Sequence, residues 1–208
     1  MTAHVVEVTA TDGLARTGRV ITPRGSYPVP AFMPVGTRGA VKALDAADLE
    51  ALGAGVVLAN TYHLMLRPGA ETVAALGGLH RFTGWDGHLL TDSGGFQVHS
   101  LRPSVDDDGV SFSSVYDGAP LRLTPERAVE IQGLLGADVQ MVLDVCATLP
   151  ATPDVLRTAV DRTAAWAARA RERHRTLEAR PEGQALYGIV QGGTDLALVQ
   201  QQFQVQQN

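Results

Sequence analysis

The stretch TDSGGFQV, residues 91–98, follows the apolar pair Leu89-Leu90 and sets one acid, two glycines and an aromatic ring close together. A carboxylate at Asp92 can hold or deliver a proton, Gly94-Gly95 let backbone N–H groups approach a ligand, and Phe96 offers a flat face for stacking. A second acid, Asp144, follows the apolar run VQMVL, and an amide, Gln191, follows LYGIV. Two carboxylates in one pocket, Asp92 and Asp144, suit acid/base and nucleophilic work at an acetal or N-glycosidic carbon. There a developing oxocarbenium ion wants negative charge and the leaving group wants a proton. Asp144 and Gln191 also suit another task. A carboxylate accepts from a ring N–H and an amino group, and an amide both donates and accepts, so together they can read the edge of a purine.

Other readings of these residues are weaker. DSGG could be a phosphate-binding turn, but neither G-x-G-x-x-G nor a Walker Gly-Lys-Ser/Thr accompanies it. His63, His88 and His99 lack metal-ligand spacing and read as surface or supporting residues. Cys146, two positions past Asp144, reads as a buried, unreactive thiol rather than a nucleophile beside His63. As the single cysteine it excludes an internal disulfide and a Cys-rich zinc site, which fits a reducing compartment, the cytoplasm. The net charge of -5 argues against a surface that holds nucleic acid mainly by neutralising phosphates, so any RNA contact must be local. The N-terminus has no basic region followed by an apolar stretch, and no apolar run approaches the ~18 residues of a membrane span; secretion and membrane anchoring are not expected.

The elements that must carry these residues alternate between strand and helix. Residues 1–30 read as a small antiparallel hairpin divided by Asp12-Gly13 and Gly25. Beyond them, AFMPVG (31–36), AGVVLA (54–59), HLLT (88–91), VQMVL (139–143) and LYGIV (186–190) read as short buried strands. Between them lie the amphipathic ALDAADLEALGA, LTPERAVEIQGLLGAD with Thr124 as N-cap and Pro125 in the first turn, and a long helix starting at Thr152-Pro153. The spacing predicts Ala128, Ile131 and Leu135 on the buried face of the second helix, and Val155, Ala159, Thr163, Trp166 and Ala170 on that of the third. Trp85 and Trp166 read as packing residues. Such alternation implies βαβ crossovers and a parallel sheet, whose strands deliver their C-terminal polar residues to one rim, where ligands bind.

In that order, MPVGTRGAVKAL, LANTYHLMLRPG, LLTDSGGFQVHSL, DGVSF, LTPERAVEIQ, LGADVQMVLDVC and YGIVQGG closely resemble the bacterial tRNA-guanine transglycosylase family over about residues 5–195. The resemblance implies a TIM (β/α)8 barrel enzyme that exchanges the wobble guanine of tRNAs with GUN anticodons for a queuine-pathway base by retaining double displacement. It places Asp92 as general acid/base, Ser93, Gly94, Gly95 and Phe96 as the base-binding segment, and Asp144 and Gln191 as the pair that reads the purine edge. Asn60 falls in the block lining the ribose side. The implied partners are the tRNA anticodon loop, guanine or a deazaguanine, and a second copy of the chain in a homodimer.

A barrel of this kind typically needs ~250 residues and eight strands. About five βα units are readable in residues 1–195, so a barrel truncated to its N-terminal part is expected, with the strand at 186–190 at an open sheet edge and an unstable or oligomeric chain as the consequence. No counterpart stands here for the catalytic Asp nucleophile, the second glycine segment, the basic RNA-contacting loop or the Cys-x-Cys-x2-Cys…His zinc ligands that the resemblance implies. Residues 196–208, ending VQQQFQVQQN, read as an aberrant Gln-rich tail with no core face. Two alternatives stay open: a non-catalytic base-binding or accessory subunit, and a barrel glycoside or nucleoside hydrolase using Asp92 and Asp144.

Overall fold

The computed structural model describes residues 4–101, 103–178 and 180–206. The chain divides into two compact units. The first comprises Met1–Thr91, Gln132–Gln140 and Ala179–Ala185, and the second Asp92–Ile131, Met141–Glu178 and Leu186–Asn208.

In the first unit, β1 (Val5–Asp12), β2 (Ala15–Thr22) and β3 (Gly25–Val29) form a three-stranded antiparallel sheet. The expected hairpin is thus extended by one strand, because Gly25 opens a second reversal at positive φ. Gly18 of β2 crosses so close to the Glu7 carbonyl of β1 that a side chain there would collide with backbone. Along β2, Gly18, Val20 and Thr22 are buried and their neighbours exposed, the period of two that a sheet with one solvated face requires.

The unit's other sheet begins with β4 (Val35–Gly36), β5 (Val56–Ala59) and β6 (His88–Thr91), joined by α1 (Ala46–Ala51), α2 (Thr61–Leu66), α3 (Ala70–Ala75) and α4 (Gly78–Thr83). Helix α1 is started by a reciprocal capping box between Asp45 and Asp48. All four residues of β6 are buried, as suits a central parallel strand covered on both faces. β10 (Val139–Met141) pairs with β6 in parallel, Val139 opposite Leu90 and Gln140 opposite Thr91. β11 (Ala185–Tyr187) follows at the end of the order β11-β10-β6-β5-β4. The five strands predicted from the apolar runs therefore exist and are neighbours in one α/β sheet. It is an open sheet rather than a closed barrel, with β4 and β11 at its ends.

One polar cluster locks the entry of β10 to that of β6. Asp138 accepts from Arg24 Nε at 2.8 Å, His80 Nε2 at 3.1 Å and the Leu89 backbone N–H at 2.8 Å, while its own N–H donates to Leu89 O. Burial opposes a charge on Asp138, yet the hydrogen bonds from His80, Arg24 and Leu89 outweigh it and hold the carboxyl at about 2. His88, expected as a surface or supporting residue, is a core residue: it is buried, bonds Thr22 Oγ1 and Gly55 O through its two ring nitrogens, and packs against Tyr27.

The second unit contains α5 (Gly95–His99), an antiparallel sheet of β7 (Ser104–Val105), β8 (Val110–Ser113) and β9 (Pro120–Leu123) that the apolar pattern did not reveal, then the first part of α6 (Pro125–Leu135), α7 (Pro153–Thr176) and α8 (Leu196–Gln206). The Thr124 hydroxyl accepts the Arg127 N–H, the predicted cap of α6, and Ala128, Ile131 and Leu135 are buried as the spacing predicts. Helix α7 buries Leu156, Ala159, Val160, Thr163, Trp166 and Ala170. Val155, predicted inward, is 51% exposed; Leu156 is buried instead, three residues before Ala159 and in step with the stripe that continues through Thr163, Trp166 and Ala170. The outer flank of α7 is tied down by Arg169 to Glu126 and Arg173 to Glu130, and Trp166 Nε1 donates to Asp107 O.

Residues 196–206 are also not what the composition led us to expect. They form α8, which buries Leu198 against Leu156 and Val160 of α7 and leaves Gln202 with no exposed surface. A glutamine-rich segment thus has a core face after all, since a glutamine can be buried when its amide is fully bonded. Residues 207 and 208 of the predicted tail lie outside the described residues. No helix among the described residues is long and apolar enough to cross a membrane.

Candidate functional site

The site is built on three loops of the second unit. The first follows β6 directly. Asp92 Oδ1 accepts the Gly94 N–H at 3.1 Å and Ser93 Oγ accepts the Gly95 N–H at 3.3 Å, so the two side chains fold the DSGG segment into tight successive turns. Gly94 reverses the chain at φ +83° and α5 begins at Gly95. At Gly95 a Cβ would lie 3.3 Å from Asp144 Oδ1 and 3.2 Å from Leu143 Cδ1, so the glycine admits the Asp144 carboxylate beside the turn. Phe96 comes next and is 70% exposed, an open aromatic face on the first turn of α5.

The second loop follows β10 and carries Asp144, Val145 and Cys146; the third follows β11 and carries Gln191. The two meet: Gln191 Nε2 donates to Asp144 Oδ2 at 2.6 Å across 47 residues of sequence. Burial raises the Asp144 carboxyl above the ordinary carboxylate range and the nearby negative charge of Asp92 adds to this, against the hydrogen bonds from Gln191 and Ser93. The loops are held from behind. Thr163 Oγ1 of α7 accepts the Val145 N–H at 3.0 Å, and Gln202 Oε1 of α8 accepts the Gln191 N–H at 2.5 Å while its Nε2 donates to Ile189 O at 3.3 Å. Gly192, at φ +129°, lets α8 approach so closely that a Cβ there would stand 2.8 Å from the Val199 nitrogen.

The structure thus gathers Asp92, Ser93, Gly94, Gly95, Asp144 and Gln191 into one constellation with Phe96 at its exposed margin. Asn60 belongs to the first unit, where it is the buried N-cap residue of α2. Cys146 is half-buried rather than buried; desolvation and the Asp144 charge raise its thiol pKa, which keeps it protonated. The supporting roles of Thr163 and Gln202 had only one trace in the sequence, a lone threonine on the otherwise apolar inner stripe of α7. Among the described residues no group of three or more His, Cys, Asp or Glu is placed to hold a metal ion, so the zinc implied by the resemblance finds no fitting ligand set there.

Chemically, a half-buried carboxylate bonded to a primary amide, with flexible backbone and an open ring alongside, suits a flat heterocycle with adjacent N–H donors and a carbonyl acceptor. Comparison with known proteins points the same way. A family model described as queuine tRNA-ribosyltransferase matches residues 11–206. The chain is 54% identical over 186 residues to the queuine tRNA-ribosyltransferase of Rhizobium meliloti (strain 1021), covering 88% of this chain and 48% of that protein. Its identity to the one from Cereibacter sphaeroides is 54% over 189 residues (90% and 49%), and to that of Thermus thermophilus 52% over 191 residues (91% and 48%). The chain spans about half the length of the curated relatives it matches.

Proposed function

The chain belongs to the queuine tRNA-ribosyltransferase family, and from that membership we propose that it supplies the base-recognition half of a tRNA-guanine transglycosylase, a pentosyltransferase acting on a guanosine of the tRNA anticodon loop. The observation that carries this reading is the Gln191–Asp144 hydrogen bond beside the DSGG turn. Asp144 accepts from the ring N–H and exocyclic amino group of guanine or a deazaguanine, Gln191 turns its amide to the carbonyl edge, and Phe96 stacks on the ring. Asp92, whose charge is felt at Asp144, is the proton carrier: it protonates the departing base and accepts the proton of the incoming one. Ser93, Gly94 and Gly95 line the base. The DSGG turn, the Asp144 loop and the Gln191 loop belong, in this reading, to a TIM (β/α)8 barrel whose first five units are residues 1–195, in a cytoplasmic protein that works as a homodimer. Asp144 reads the base and is not the nucleophile; no step is assigned to zinc.

The test is exchange of labelled guanine into a tRNA with a GUN anticodon. In any complete version of the protein, loss of exchange in Asp92→Ala with guanine affinity retained is expected of the proton carrier; unchanged exchange kinetics would remove that role. Wild-type chain that binds guanine yet never exchanges it would support a base-binding subunit, and sugar release from a free glycoside without tRNA a hydrolase.

A further inference from the structure

We infer that Gln202 and Thr163 are positioning residues for the base-reading pair: by accepting the backbone N–H groups of Gln191 and Val145, they fix the two loops across which Gln191 reaches Asp144.

Both side chains are fully buried, and each sits on a helix outside the sheet, Thr163 on α7 and Gln202 on α8. A buried amide is tolerated only when its polar atoms are bonded, and it gives up considerable rotameric freedom when held. Gln202 directs both of its hydrogen bonds to the segment that ends in Gln191, one to the N–H of Gln191 itself and one to the carbonyl of Ile189. Neither goes to its own helix. Thr163 acts in the same way on the other loop, taking the N–H of the residue after Asp144. A pair meeting at 2.6 Å loses its hydrogen bond if either loop drifts by about an ångström, since such bonds weaken steeply beyond ~3.2 Å. Helix-borne groups supply the rigidity that loops lack. The close seat of Val199 against Gly192 and the packing of Leu198 on Leu156 and Val160 hold α8 in the position Gln202 needs. The direction of the effect on Asp144 follows: a looser Gln191 donates less to the carboxylate, which then protonates more readily.

This inference rests on the base-reading role proposed above, and its test separates the two. The Asp144 carboxyl is titrated by carbon-13 NMR in the full chain without ligand, its signal assigned by its absence in Asp144→Asn. Gln191→Met sets the scale by raising the midpoint. Gln202→Met and Thr163→Val are expected to raise it by about half a pH unit or more toward that value, Thr163→Ser to leave it at the wild-type position, and guanine affinity to fall about tenfold in the first two. Thr163→Val keeps the side-chain volume and carries the test where Gln202→Met does not fold. A wild-type midpoint in the folded variants, whatever their melting temperatures, overturns the positioning role; so does a Gln191→Met chain that titrates like wild type. Failure of the wild-type chain to bind guanine would instead remove the base-reading role, and the ligand-free titrations would still decide the positioning.

Discussion

Replacing Asp138 by asparagine tests how the strands that lead to the site are anchored. The substitution leaves an acceptor for the Leu89 N–H but removes the charge that Arg24 and His80 address at 2.8 and 3.1 Å. Asp138 is 13% exposed, so solvent screens these contacts only partly. Its carboxyl drops from 3.8 to about 2 on folding. A depressed carboxylate contributes stability that is present above its unfolded value and lost as pH falls toward the folded one, here between 3.8 and about 2. The drop is worth about 2 kcal/mol at neutral pH, of which about half is gone by pH 3. Urea unfolding of wild type and Asp138→Asn, followed by far-ultraviolet circular dichroism at several pH values from 7 to 3, should give curves about 2 kcal/mol apart at pH 7 and about 1 kcal/mol apart at pH 3. A gap that stays constant over this range, or one below about 0.5 kcal/mol at pH 7, within the usual span for surface substitutions, would refute the reasoning.

Asp144→Asn should weaken guanine binding about tenfold or more, read by calorimetry, because the amide cannot accept from both base donors. The same variant should melt higher than wild type at pH 7: a carboxyl raised on folding disfavours the folded state once ionised, and the gain should vanish as pH falls below the ordinary carboxylate range. An Asp144→Asn chain that melts lower at pH 7 and higher in acid would reverse that sign. Gly192→Ala should cost about 1–3 kcal/mol in denaturant unfolding, since it places a Cβ 2.8 Å from the Val199 nitrogen at φ +129°; unchanged stability would mean that α8 is not seated as described.

Much of the architecture was legible because it is written in short-range periodicity. HLLT is a strand at 88–91 with every residue buried, as a continuous apolar run bounded by turn residues suggests, and Thr124 caps α6 through the hydroxyl its position implied. On α7 both Val155, four residues before Ala159, and Leu156, three before it, satisfy the three-and-four spacing, and only the packing selects Leu156. The strands β7, β8 and β9 escaped because SV, VSFS and PLRL mix polar with apolar residues and form no continuous apolar run of the kind that marked the parallel strands. Composition misled at 196–206, where glutamines suggested a face without a core; what matters is whether each buried amide finds partners, and Gln202 finds them in a loop on the far side of Gly192.

The sequence by itself determined the chemical vocabulary of the site: an acid before paired glycines and a ring, then an acid and an amide after buried strands. It also determined which runs become strands, because alternation and apolar length are local properties. Only the tertiary structure decided that Gln191 meets Asp144 across 47 residues, that Thr163 and Gln202 hold the loops on which they meet, and that Asp138 gathers Arg24 and His80. Those pairings depend on where chain segments far apart in sequence are brought by strand register and helix packing, and a hydrogen bond is made or lost within about an ångström that no local pattern records.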